Sequence, residues 1–172
     1  ITERGFVYAL TSDDVSPSLA EVNGTNVIKI IASGAGGIYS HALSGLKGNQ
    51  TYSYIAYATN SVGSAESNVE TFNTEKYPLT ITGLGGVDKI YDGNKNVSAN
   101  GSPILVGVQP GDSVILEDST FFYFSTSGVR TDLDITSSGF SLSGSDAGNY
   151  ILTPPTLSAS ITAKPLSITG LI

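Results

Sequence analysis

The side chains able to do covalent chemistry are few. His41 is the only histidine and there is no cysteine, which removes disulfides, thiolate catalysis and thiolate zinc sites together. A serine or threonine nucleophile would need His41 as its base. His41 lies between Ser40 and Ala42, no Gly-x-Ser-x-Gly elbow surrounds any serine, and an ordinary strand residue is the expectation. No hydrolase is expected.

Carboxylates pose the better question. Asp132 and Asp134 are two apart and would share one face of a strand, while Asp146 sits in a Gly-rich turn near Asn149. Hard oxygen donors of this kind suit calcium. No twelve-residue Asp-rich loop ending in Glu is present, however. Aspartates bonded to turn backbone are therefore expected, here and at Asp13-Asp14, with calcium at Asp132, Asp134 or Asp146 as the alternative. No cofactor is expected. A Lys-to-Asn isopeptide bond would need a buried Lys, an Asn and an acid in contact; Lys29, Lys89 and Lys95 are available, without an evident pairing. Asp92 in Tyr91-Asp92-Gly93 reads as turn geometry, with Tyr91 packed as a core aromatic.

Tyr39 and Tyr57 are the aromatic candidates for stacking on sugar rings, although cross-strand packing uses the same residues. Phe121-Phe122-Tyr123-Phe124 puts aromatics on both faces of one strand. Cover on both sides is expected, a sticky patch being the other outcome.

The elements that must position these residues are strands. Alternation by two dominates: Phe6, Tyr8 and Leu10 oppose Val7 and Ala9, and Tyr52, Tyr54, Ala56 and Ala58 oppose Ser53, Ile55 and Tyr57. Further strands are expected at Val27 to Ile31, Ile38 to Leu43 and Ser67 to Thr74. After a boundary near Glu75 they follow at Leu79 to Thr82, Val87 to Tyr91, Ile104 to Val108, Ser113 to Leu116, Thr120 to Phe124, Leu133 to Thr136, Phe140 to Leu142, Tyr150 to Thr153 and Leu157 to Ile161. Asn23-Gly24, Gly34 to Gly37, Lys47-Gly48-Asn49, Pro110-Gly111-Asp112 and Ala147-Gly148-Asn149 supply turns. Short strands punctuated by Gly and Pro predict an all-β chain of sandwiches or partly open barrels.

The 172 residues carry eight Lys and Arg against fifteen Asp and Glu. No basic face can be assembled for nucleic acid, and no apolar run is long enough for a membrane-spanning helix. Lys76-Tyr77-Pro78-Leu79-Thr80-Ile81-Thr82-Gly83-Leu84 returns as Lys164-Pro165-Leu166-Ser167-Ile168-Thr169-Gly170-Leu171, with the prolines 87 residues apart. A domain-length period predicts a tandem array: one module over 1–75, a second over 76–163, and the start of a third at 164–172. Ile1 is no initiator, so any export signal is expected upstream.

Two resemblances follow. Glu3-Arg4-Gly5-Phe6-Val7-Tyr8, Leu43-Ser44-Gly45-Leu46 leading into Thr51-Tyr52, and Ala56-Tyr57-Ala58-Thr59-Asn60-Ser61-Val62-Gly63 make residues 2–74 similar to the later part of a bacterial fibronectin type III domain. The resemblance implies a tyrosine corner at Tyr52, six residues after Leu46. The family's first two strands have no counterpart before Ile1, so Phe6 and Tyr8 are expected to be uncovered, and an open edge or face to recruit a second copy.

Pro78 to Leu84, Lys89-Ile90-Tyr91-Asp92-Gly93, Gly107-Val108 with Gly111-Asp112, and Leu142-Ser143-Gly144-Ser145-Asp146-Ala147-Gly148-Asn149-Tyr150 make residues 78–163 resemble the YDG repeat of large bacterial surface proteins. The resemblances imply an elongated tandem of a truncated fibronectin III-like sandwich and a YDG-type sandwich or partly open barrel. They also imply a non-catalytic spacer or adhesion role at the bacterial cell surface. Neighbouring repeats, and surface glycans or proteins, are the implied partners. The alternative is a carbohydrate-binding accessory region of a secreted enzyme, which requires an exposed aromatic row on one sheet.

Overall fold

A computed structural model of the chain describes residues 1–24, 26–33 and 37–170, and the side chains of Ser119 and Thr120 are outside that description. The expected turn at Gly34 to Gly37 thus lies outside it except for Gly37, as does Leu171 of the repeated phrase. The chain is all-β and divides into two compact units, residues 1–76 and 77–172.

The first unit is built on β1 (Glu3–Leu10), β2 (Ile28–Ile31), β3 (Thr51–Thr59), β4 (Ser64–Glu66) and β5 (Glu70–Asn73). They form one sheet in the order β2-β1-β3-β4, with β5 pairing the other half of β3. The β1–β3 register places Phe6 opposite Ala56, Tyr8 opposite Tyr54 and Leu10 opposite Tyr52, so the alternation in sequence becomes two distinct faces. Val7, Ala9, Ile55 and Tyr57 are buried on one face beneath Val27, Leu19 and Val22. Burial of Val7 or Ile55 there contributes about 1.5–3 kcal/mol each. A short 3-10 turn, Leu19–Glu21, carries the covering loop, and the Leu19 N–H donates to Glu66 Oε1 on β4 (2.7 Å). At Gly5 a Cβ would collide with the Ile30 carbonyl, so glycine lets β2 approach β1.

The segment Ile38 to Leu43, expected as a strand, is irregular. Tyr39 and Leu43 reach the aromatic face of the sheet instead of pairing at an edge, while Ile38 is exposed. Tyr39 packs on Phe6 (centroids 5.0 Å) and its hydroxyl donates to the Gly5 carbonyl (3.2 Å). Tyr8, expected to be uncovered, is buried, and Phe6 is half-buried. β4 went unanticipated because Ser64-Ala65-Glu66 is short and entirely exposed.

The second unit contains β6 (Tyr77–Gly86), β7 (Lys89–Ile90), β8 (Asn96–Val97), β9 (Ala99–Val106), β10 (Ile115–Phe124), β11 (Arg130–Ser143), β12 (Tyr150–Thr153) and β13 (Leu157–Thr162). Two sheets, β7-β13-β11-β10-β8 and β12-β6-β9, give a nearly closed, barrel-like sandwich. The β6–β12 and β7–β13 pairings are parallel. Phe124, Leu133, Ile135, Leu157, Ala159 and Ile161 form the core, with Leu84, Val97, Ala99 and Phe122 against it.

Four expected short strands fuse into two long ones. Ser113 to Leu116 and Thr120 to Phe124 become β10, and Leu133 to Thr136 and Phe140 to Leu142 become β11, paired through a bulge between Asp118 and Phe121. The residues between the expected strands are paired positions of a continuous ladder, whose extra residue the bulge absorbs. Pro78, expected to break strand pairing at the junction between the modules, is itself paired. It is the second residue of β6, opposite Ile151, near a strand start where its missing N–H is tolerated. Among the described residues, no helix is long and apolar enough to cross a membrane.

Candidate functional site

In the second unit the signature residues close around two polar knots. Lys89 leaves β7 with its ammonium among four oxygens: Asp92 Oδ1 (2.7 Å), the Asn94 carbonyl (3.0 Å), Asn94 Oδ1 (2.9 Å) and the Asn96 carbonyl (2.8 Å). Asp92 Oδ1 also accepts the Asn94 N–H (3.1 Å), and Gly93 supplies the left-handed step at φ +83°. The Lys89 hydrogen bond, and then the Asn94 N–H, hold the Asp92 carboxyl below its ordinary range. Tyr91, expected in the core, is 42% exposed: the turn folds around the lysine, leaving the ring outside. The trio Lys89, Asp92 and Asn94 has the composition of an isopeptide site, but an ammonium shared among four acceptors is a tie between β7 and β8.

The second knot joins words far apart in sequence. The buried Tyr150 donates its hydroxyl proton to Asp112 Oδ2 (2.6 Å) and accepts the Gln109 N–H (3.0 Å). Burial first, and the Asp112 bond second, push the Tyr150 phenol up. Asp146 Oδ2 accepts the Ser113 N–H (2.9 Å) and the Ser145 hydroxyl (3.0 Å). Gly144, at φ +104°, lies so close to the Ser113 carbonyl that a Cβ would clash with it. Gly111-Asp112-Ser113 and Asp146 to Tyr150 are thus two sides of one clasp.

The metal candidates separate. Asp146 spends its carboxylate on backbone and hydroxyl donors. Asp132 and Asp134 are exposed on β11, with Asp132 at φ +51° in a bulge between Arg130 and Leu133 that interrupts the expected alternation. Among the described residues, no group of three His, Asp or Glu is placed to hold an ion.

In the first unit Tyr57 is buried, and so is no stacking platform. Its hydroxyl donates to Glu3 Oε1 (3.0 Å), which also meets Lys29 Nζ (2.6 Å). Burial, reinforced by Glu3, pushes its phenol up to about 12, while Lys29 and then Tyr57 lower Glu3. Tyr39 is half-buried between Phe6 and the guanidinium of Arg4, 4.6 Å above the ring. Arg4 was invisible to sequence reasoning: an arginine on a strand does not announce that it is buried and donates to the Ser33 and Gly37 carbonyls. The Tyr52 hydroxyl accepts the Lys47 N–H (2.9 Å), the back-bond of a tyrosine corner. Phe6, Tyr8, His41, Leu43, Tyr54 and Phe72 line a hollow of about 270 Å³. His41 is exposed there, off any strand, and none of the lining residues is a hydroxyl nucleophile of the serine or threonine kind.

The aromatic run on β10 splits by face. Phe124 is buried and Phe122 half-buried, whereas Phe121 is 65% and Tyr123 39% exposed, beside Asn96 and Ser98. Cover on both sides was the expectation; Phe121 and Tyr123 instead leave the other face partly open.

No curated protein and no solved structure matches the chain. Residues 74–158 match the family model of the YDG domain, which takes in both knots and every strand from β6 to β12. Over that span the second unit of this chain is similar to a YDG domain.

Proposed function

We propose that the chain is a non-catalytic spacer and adhesion segment of a long exported bacterial surface protein. In this reading a fibronectin type III-like unit precedes the YDG domain, and residues 164–172 open a further repeat. The observation that carries it is the return of the β6 sequence after β13, as expected where one unit follows another. The conspicuous acids Asp92, Asp112 and Asp146 are occupied in holding turns, and the Tyr52 back-bond supports the fibronectin-like assignment of the first unit. Stretching the chain between handles tests the spacer role. Two separate unfolding events, each releasing roughly 25 nm from the reach of an extended chain, are expected; one cooperative event would overturn it.

A second reading, a carbohydrate-binding region, draws support from the exposed pair Phe121 and Tyr123 beside the polar groups of Asn96 and Ser98. Co-sedimentation with insoluble polysaccharides, lost in Phe121→Ala with Tyr123→Ala, is its test.

A further inference from the structure

Phe121 and Tyr123 lie two apart on β10 and therefore share a face, on which they are 65% and 39% exposed. The register shows what stands beside them. Tyr123 is opposite Asn96 of β8 and Thr136 of β11, and Phe121 is opposite Ser138 of β11; directly paired residues point to the same side of a sheet. Asn96, Thr136 and Ser138 are exposed as well. Two aromatic side chains roughly 7 Å apart along the strand are thus flanked by groups that both donate and accept hydrogen bonds. Among the described residues, neither ring packs against another aromatic ring. The Tyr123 hydroxyl, the Asn96 carboxamide and the Thr136 and Ser138 hydroxyls make no hydrogen bond among them either.

The chain opens a hollow alongside. β8 and β9 are separated by Ser98 alone yet belong to different sheets, and where the chain crosses between them a space of about 490 Å³ lies against Phe121 and Tyr123. No charged side chain lines it. The lysines nearest in sequence are committed: Lys89 holds Asp92, Asn94 and Asn96, and Lys95 donates to the Ser125 carbonyl (2.9 Å). With a net charge of −7 on the chain and no cation lining the hollow, a phosphate, sulfate or uronate ligand would be repelled. A second copy is disfavoured on the same ground, and two rings cover far less than the roughly 800 Å² per partner of a stable interface.

We propose that this face binds an extended, uncharged glycan, its sugars stacked on Phe121 and Tyr123 and its hydroxyls bonded to Asn96, Thr136 and Ser138. A pyranose has apolar C–H faces and a rim of hydroxyls, so it matches rings set among donors and acceptors. The inference rests on the carbohydrate-binding reading above and adds the charge of the ligand and a role for the lysine turn. Lys89 Nζ donates to the Asn96 carbonyl (2.8 Å), and Asn94 Oδ1 accepts the Asn96 N–H (2.9 Å). The turn therefore fixes β8, and with it the Asn96 carboxamide beside Tyr123. Lys89 is a positioning residue that acts without touching the sugar.

Isotope-labelled full-length chain, titrated with soluble oligosaccharides of glucose, mannose and xylose and with oligogalacturonate as the anionic counterpart, tests this. A neutral oligomer should shift the amides of Asn96, Phe121, Tyr123 and Thr136, and oligogalacturonate should not. Phe121→Ala and Tyr123→Ala should each weaken binding about tenfold and Asn96→Ala about fivefold, with melting nearly unchanged because all three positions are exposed. Lys89→Met should weaken binding severalfold, but add little in the Asn96→Ala background. Unaltered binding in the ring variants or in Lys89→Met, or equal binding of oligogalacturonate, would overturn the proposal while leaving the carbohydrate reading standing. No shift with any oligomer would overturn both.

Discussion

Tyr150→Phe should unfasten the clasp of the second unit. The substitution keeps the ring in its buried place and removes one oxygen, which donates to Asp112 Oδ2 at 2.6 Å and accepts the Gln109 N–H at 3.0 Å. Losing a hydrogen bond to a charged acceptor costs about 1.5–3 kcal/mol and stranding a backbone N–H about 1–3 kcal/mol. Asp112 is half-buried, so water recovers part of its loss, and a net cost of about 2 kcal/mol is expected. For a domain of roughly 100 residues that lowers the melting temperature of this unit by about 8–16 °C. Calorimetry reads the shift, and amide exchange at Gln109 should accelerate. Burial and Asp112 raise the folded-state Tyr150 pKa. Their stabilising contribution is therefore complete below the ordinary phenol range and lost as pH climbs through the folded value, a loss that Tyr150→Phe should remove. A shift under about 3 °C with unchanged Gln109 exchange would refute the clasp.

Tyr57, raised to about 12, should be the last tyrosine to ionise in an ultraviolet titration, and first-unit stability should fall between about pH 10, the unfolded value, and 12. Glu3, lowered by Lys29 and Tyr57, contributes stability that is present above the ordinary glutamate range and is lost as pH falls through its folded value; Glu3→Gln should flatten that acid limb. Gly86→Ala would drive a Cβ into the Ser158 carbonyl and Ile135, and circular dichroism should find the second unit largely unfolded at 37 °C while the first persists. Lys89→Met should speed amide exchange across residues 91–96 with little change in global melting, because the tie it removes is local. Chelator should leave the melting temperature of the chain within about 1 °C, against the several degrees that a native-state calcium site would impose by mass action.

Strand identity was legible because burial on one face of a sheet writes a period of two into the sequence: the faces of β1 and β3, and the extents of β12 and β13, could be read from the residues alone. So could the turn at Asp92-Gly93 and the repetition of β6 at the tail, both being local in sequence. Partnership was not legible. Whether Ile38 to Leu43 would join a sheet edge or lie across a face, and whether Glu117 to Ser119 would end a strand or ride through a bulge, depended on which backbone groups arrived alongside from elsewhere in the chain. Aspartates two apart on one strand suggested a shared face, but the bulge at Asp132 removed the regular alternation on which that depended. The aromatics show the same division. Alternation sorted Phe121 and Tyr123 from Phe122 and Phe124, but only the placement of the core decided which pair would be buried. Tertiary structure alone could bring Tyr150 to Asp112, enclose Lys89 and bury Arg4, because a hydrogen bond between residues distant in sequence exists only after the backbone between them has folded.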